Sequence, residues 1–354
     1  MPPSRAPDDP LLEAARAALE EGRPEEALAR AEEALASSPR SPKALHYRAA
    51  ALEELGKTAE ARTAYERALE RGKDDPALWL DAARFLVDGL TEEEEERVDL
   101  LEGLSRVRRG RRLLDRAEDP LLEVDLLLVE ARALSRLARD DEALASLERA
   151  EKIAPGDPEV LREKGLALYE LCRFEEAEAA LAAAEAADRD DASTVHALGL
   201  LAERRGDLDL ARRFFKRARR LAPEDFPRPP GLSNEAFEAA VEDALLELPE
   251  GVRRYLANVA ISVEDLPNDE DLLAADPPLS PGILGLFRGA PYGRKASMDP
   301  WSHFPSAIVL YQRNLERYAR SRDEVVEEIR RTLVHEVGHF LGLDEDELYE
   351  RGLE

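Results

Sequence analysis

Through the first two thirds of the chain, apolar positions recur three and four residues apart in short segments separated by turn-forming residues, the pattern of paired amphipathic helices. Small residues stand at a fixed interval within these segments. Ala143, Ala177 and Ala211 are spaced by 34, as are Ala150, Ala184 and Ala218, and Gly165 to Gly199 is again 34. Pro155, Arg189 and Pro223 keep the same step, and so do Gly22 to Gly56, Ala27 to Ala61 and Ala34 to Ala68 nearer the N-terminus. One period governs both blocks, so residues 8–225 are expected to form an all-α solenoid of about six helical pairs. Between the blocks the phase slips, because Ala61 to Ala143 is 82, which is two steps of 34 plus 14. That slip predicts a divergent third repeat with an insertion near 88–105. The insertion should hold the polar run from Thr91 to Glu96, between a first helix around Trp79 to Val87 and a second around Gly110 to Ala117.

The pattern changes at Pro223-Glu-Asp-Phe-Pro227-Arg-Pro229-Pro230-Gly231, which cannot continue a helix. Residues 226–231 therefore read as a proline-rich linker, 232–354 as a second domain, and 1–7 as an unordered N-terminus. Ser233 is placed to cap a helix with Phe237, Val241, Ala244, Leu245 and Leu248 on its apolar side, closed by Pro249. Three β-favouring segments follow at 259–263, 283–287 and 307–311, the first two separated by an acidic, proline-bearing loop. A last helix over about 322–341 has Val326, Ile329, Leu333, Val337 and Phe340 on one stripe, with His335 and His339 opposite. The expected second domain is a small α+β unit in which a sheet supports that helix.

Charge narrows the partners. With 77 acidic against 50 basic residues, the formal charge of −27 excludes nucleic acid as a primary partner and disfavours an anionic membrane surface. No apolar run approaches a membrane span, and the first residues lack the apolar centre of a signal peptide. The single cysteine cannot form an internal disulfide, so the expected location is cytoplasmic. Cys172 stands where sister repeats carry Gly206 and Ala138, and reads as a small packing residue. His46 and His196 lie in first helices of repeats, where packing or surface roles are expected.

The chemistry concentrates at His335-Glu336-Val-Gly-His339. Two histidines four apart on a helix can hold one ion between them, and the glutamate can act on metal-bound water. Gly342 can turn the chain back, bringing Asp344, Glu345 and Asp346 toward the same face. Glu345 is the expected third ligand, with Asp344 in reserve, leaving a fourth position for water.

The 34-residue step, with Ala61 before Tyr65, Ala177 before Leu181 and Ala211 before Phe215, resembles the tetratricopeptide repeat, although the signature tryptophan and tyrosine are mostly missing from the first helices. That resemblance implies a surface that recruits a protein or peptide, and the exposed acids would favour a basic one. A second resemblance covers 232–354. Leu248-Pro249, Val259 to Pro267, Leu284-Gly285-Leu286-Phe287-x-Gly289, Ile308-Val309-Leu310-Tyr311-x-Arg313 and the histidine motif through Gly342 look like the small bacterial zincin-like metallopeptidases of the minimal matrix-metalloprotease-like type. It implies a Zn2+-dependent peptidase with His335 and His339 as ligands and Glu336 as general base, hydrolysing peptide bonds with a metal-activated water. Those relatives carry aspartate at the third-ligand position, where this chain has Glu345. No methionine follows Met298, so the methionine turn of metzincins is absent. The strand near Leu284 to Arg288 is expected to pair with an extended substrate, and His303 and Tyr311 are the nearest candidates for an oxyanion donor. The alternative is a non-catalytic binding scaffold with a metal-stabilised or inactive zincin module. Neither reading fixes an oligomeric state.

Overall fold

Among the described residues, six helical pairs occupy the chain as far as Leu221. They are α1 (Pro10–Glu20) with α2 (Pro24–Ser37), α3 (Pro42–Glu54) with α4 (Thr58–Arg71), and α5 (Pro76–Asp88) with α6 (Glu93–Leu113). Then come α7 (Pro120–Arg136) with α8 (Asp140–Ile153), α9 (Pro158–Glu170) with α10 (Phe174–Ala187), and α11 (Ala192–Arg204) with α12 (Leu208–Leu221). Proline opens α1, α3, α5 and α7, where its missing N–H forfeits no helical bond, and Asp9, Ser41, Asp75 and Asp119 accept the unpaired amides behind it. The structure is a computed structural model describing residues 9–89, 93–114, 119–289, 306–344, 347–348 and 351. The expected unordered residues 1–7 lie outside that set, as does the start of the acidic run at Thr91. Packing divides the chain into two compact units, 1–167 and 168–354.

In the first unit the periodic alanines sit where helices cross: Ala27, Ala34, Ala61, Ala68, Ala143 and Ala150 are all buried. The third pair shows how the period is broken. Its two small crossing residues are Gly103 and Gly110, seven apart like Ala27 and Ala34. A methyl on Gly103 would stand 2.8 Å from Val87 Cγ2, and one on Gly110 would stand 3.1 Å from both Leu126 and Trp79. Ala61 to Gly103 is 42 and Gly103 to Ala143 is 40, so the 14 extra residues divide as 8 before and 6 after this crossing. The second helix of this pair begins at Glu93, much earlier than the expected Gly110. Leu100, Leu104 and Val107 form a buried helical stripe that extends it backwards, while Asp99 is held by Arg62 at 2.6 and 2.9 Å. His46 packs between Tyr47 and Tyr65 with its Nε2 2.7 Å from Asp81 Oδ2, a structural role.

The second unit continues from α10 to α12 into the domain that carries the histidine motif. Helix α13 (Asn234–Glu247) is capped by Ser233 as expected. It is followed by α14 (Glu250–Leu256), β1 (Ala260–Glu264), α15 (Asp269–Leu272), β2 (Gly285–Arg288), β3 (Ala307–Tyr311), α16 (Gln312–Tyr318) and α17 (Arg322–Leu341). The sheet order is β1-β3-β2, with β1 parallel and β2 antiparallel to the central β3. Helices α14, α15 and α16 were not anticipated, because none is long enough for apolar periodicity to register. Phe237, Val241 and Ala244 of α13, Ile308 and Leu310 of β3, and the apolar side of α17 form one core.

Two residues of this unit depart from a simple packing role. Cys172 has φ +56°, the left-handed turn position that Gly206 fills with φ +79° and Ala138 with φ +54°, so it ends a helix as well as packing. Burial pushes its thiol up to about 11, which keeps it protonated near neutrality and weakly nucleophilic. His196 stacks on Phe226 at 4.6 Å and leans on Phe215 at 5.3 Å. Burial, with Arg317 adding, lowers its pKa from 6.5 to about 4. Between those values the unfolded chain binds a proton that the folded chain refuses, so stability falls as pH drops through this window. The loss should approach about 3 kcal/mol at 1.36 kcal/mol per pKa unit. Calorimetry should therefore show a smaller drop in Tm from pH 7 to about pH 4 for His196→Phe than for the wild type.

Candidate metal centre

Helix α17 starts at Ser321, whose hydroxyl accepts the Glu324 amide at 3.2 Å. Val325, Ile329, Leu333, Val337 and Phe340 are buried at 0–4% exposure. Val325 takes the place the periodicity gave to Val326, which is only partly buried against the same core. The other flank carries His335 and His339, half-buried, and the helix ends at Gly342 with φ +95°. That left-handed cap lets the Leu343 amide bond back to the Gly338 carbonyl at 3.0 Å.

The two imidazoles converge. His335 Nε2 and His339 Nε2 stand 3.0 Å apart, while two nitrogens bound tetrahedrally at 2.0–2.1 Å to one zinc stand about 3.3 Å apart. His339 Nδ1 lies 3.2 Å from the Leu343 carbonyl, which can only accept. That partner assigns the proton to Nδ1 and the lone pair to Nε2, the tautomer a metal ligand requires. The pair fits zinc in spacing, and His339 fits it in tautomer.

Glu336 is 6% exposed and lies against the start of β2. Glycine is required there: a methyl on Gly285 would stand 2.7 Å from Thr332 Cγ2 and 3.1 Å from Glu336 Cγ. A glycine inside a strand-forming run is a sequence signal of close backbone approach, and Leu284-Gly285-Leu286-Phe287 carried it. Phe287 meets Phe340 edge-on at 5.8 Å and fixes β2 across α17. Gly285→Ala should destabilise the chain by about 1–3 kcal/mol through overpacking, measured by urea unfolding.

These elements enclose a cleft of about 660 Å³. Leu279 and Ile283 form one wall, and Gly285, Leu286, Phe287 and Gly289 another. His335, Glu336, His339, Gly342, Leu343 and Asp344 line it as well. Glu345 and Asp346 lie outside the described residues. Among the described residues, no three His, Cys, Asp or Glu side chains converge as a metal-binding set. Asp344 Oδ1 accepts the Glu347 amide at 2.9 Å, and Glu347 Oε2 accepts the Asp344 amide at 3.1 Å. This reciprocal cap uses one oxygen of the carboxylate held in reserve as a ligand, and Asp344 still lines the cleft.

The oxyanion candidates fare differently. His303 lies outside the described residues. Tyr311 is fully buried, donates its hydroxyl to Asp271 Oδ2 at 3.2 Å and does not line the cleft; burial raises its pKa. It belongs to a structural network in which Arg288 bonds Asp271 Oδ1 at 2.8 Å and Glu264 at 3.0 and 3.2 Å, tying β2 to β1 and α15.

The repeats and the histidine-bearing cleft define the chain as a helical-repeat array joined to a zincin-like unit. Residues 256–353 match the family described as zincin-like metallopeptidase, and residues 18–84 and 139–203 match the tetratricopeptide repeat. The chain thus carries tetratricopeptide repeats followed by a zincin-like metallopeptidase domain. Among solved structures it is similar to PilW, a type IV pilus biogenesis factor, at 16% identity and TM-score 0.51, over 65% of this chain and 96% of that one. It is similar to the Cut9–Hcn1 assembly of the APC/C at 14% identity and TM-score 0.50, over 68% of this chain and 42% of that one. For Pseudomonas aeruginosa PilF the identity is 18% and the TM-score 0.49, over 66% and 96% of the two chains. At such identities the likeness to the first two shows a shared helical-repeat fold. No curated protein matches the chain. No helix among the described residues is long and apolar enough to cross a membrane.

Proposed function

We propose that the chain is a zinc-dependent peptidase of the cytoplasm, in which residues 232–354 hydrolyse peptide bonds and repeats spanning 8–225, joined through the linker 226–231, recruit a protein or peptide. The observation that carries this reading is the 3.0 Å convergence of the two Nε2 atoms beside a buried Glu336. His335, His339 and, as the third ligand, Glu345 would hold the ion. When bound, zinc supplies a Lewis acid that acidifies water and polarises a carbonyl. Glu336 takes the proton from the attacking water and returns it to the leaving amine. Glu336 lines the cleft against Gly285, and its 6% exposure limits its access to bulk water. Among the described residues β2 pairs with β3 alone, and Gly285, Leu286 and Phe287 line the cleft, so an extended peptide added along β2 as a further strand is the proposed binding mode.

The test is digestion of an unbiased peptide library by metal-free protein and by the same protein after zinc is restored. Cleavage that appears only with zinc supports the peptidase. Absence of cleavage in both, with a partner captured by the repeats, supports the binding scaffold.

A further inference from the structure

The last helical pair reaches the cleft wall through side chains. Glu203, near the end of α11, is nearly buried, with 11% of its side chain exposed. Its two oxygens take separate guanidinium groups of α16: Oε1 accepts from Arg313 at 3.0 Å, and Oε2 accepts from Arg317. Arg317 also donates to Asn314 Oδ1 at 3.1 Å. Asn314 is 5% exposed, and its Nδ2 donates to the carbonyls of Pro281 at 2.9 Å and Ile283 at 2.8 Å. Ile283 lines the cleft and stands two residues before Gly285, the residue packed on Glu336.

Each link in this path constrains the next. A side-chain amide can present either face, and Arg317 settles which one Asn314 uses, because a guanidinium only donates and must meet Oδ1. The two N–H groups are thereby aimed at the two wall carbonyls. Glu203 in turn holds Arg317, and without that carboxylate two cations would be left close together and partly buried. Neighbouring contacts run the same way: Arg204 bonds Asp269 at 2.6 Å, Arg313 bonds Asp265 at 2.5 Å, and the Cys172 thiol reaches the Leu279 carbonyl at 3.5 Å. All of them fall on the segment between β1 and β2 that supplies the Leu279 and Ile283 wall.

We propose that Glu203 is a positioning residue for the cleft, fixing the Pro281–Ile283 wall and the start of β2 through Arg317 and Asn314. The terminal repeat is then part of the substrate-binding structure as well as part of the array. Only the kinetic consequence rests on the peptidase reading.

The test compares the full-length chain with Glu203→Ala, Asn314→Ala and the double variant. Hydrogen exchange at the Leu279 and Ile283 amides should accelerate about tenfold in Glu203→Ala while the apolar side of α17 stays protected. KM should rise about three- to tenfold with kcat and bound zinc unchanged, since the wall meets substrate and not the metal. The double variant should do no more than the stronger single, because both residues act on one path. Unchanged exchange at Leu279 and Ile283 in Glu203→Ala would overturn the proposal, as would additive effects or loss of zinc. If Asn314→Ala does not fold, exchange in Glu203→Ala alone decides. If wild type and variants all fail to cleave, the peptidase reading is lost while the exchange result still decides the coupling.

Discussion

Glu336→Gln is expected to keep its zinc and lose its cleavage. The substitution preserves size and shape, so the tight packing under Gly285 and Thr332 survives, and neither histidine changes. What disappears is the carboxylate that lines the cleft between the two histidines in sequence and would take the proton from the attacking water. General-base catalysis contributes about 10²–10⁴-fold, so kcat/KM should fall by that factor, read with a peptide chosen from the library digestion. Zinc measured on the same samples should be equal in variant and wild type. A rate within about tenfold of wild type would remove Glu336 from the base role, because a positioned base contributes more than that.

His339→Ala should have the larger effect on the metal itself. It deletes one converging Nε2 and also releases the Leu343 carbonyl at the helix end, loosening the turn through Gly342. Loss of an outer-shell partner already weakens metal sites 10–100-fold, so loss of this ligand should weaken zinc by more than about a hundredfold. Competition with a chromophoric chelator measures the change. In the wild type, added zinc should also raise Tm, since a ligand at 100 times its Kd contributes about 2.7 kcal/mol, whereas His339→Ala should show no such rise. Retained stoichiometric zinc in His339→Ala would contradict the site.

The sequence made the repeats legible because their crossing points tolerate only small side chains, and those residues recur at 34. It misplaced the second helix of the third pair because glycine replaces alanine at that crossing and the extra residues fall on both sides of it. Helix α17 was legible from its apolar stripe, although counting 100° per residue put Val326 where Val325 is most buried. Gly285 stands in a strand-forming run, where a glycine signals close backbone approach, but its neighbour is not legible in the sequence, since close approach to Glu336 depends on how β2 crosses α17. The path from Glu203 through Arg317 to Asn314 left no trace in any pattern. Glu203 stands over a hundred residues from Arg317 and Asn314, and single long-range hydrogen bonds impose no period.

The most direct test of the metal centre is elemental analysis of the full-length chain purified without chelators. One zinc per chain is expected, held equally by Glu336→Gln and lost from His339→Ala. A folded wild-type chain with no stoichiometric zinc, and no uptake when zinc is added, would contradict it.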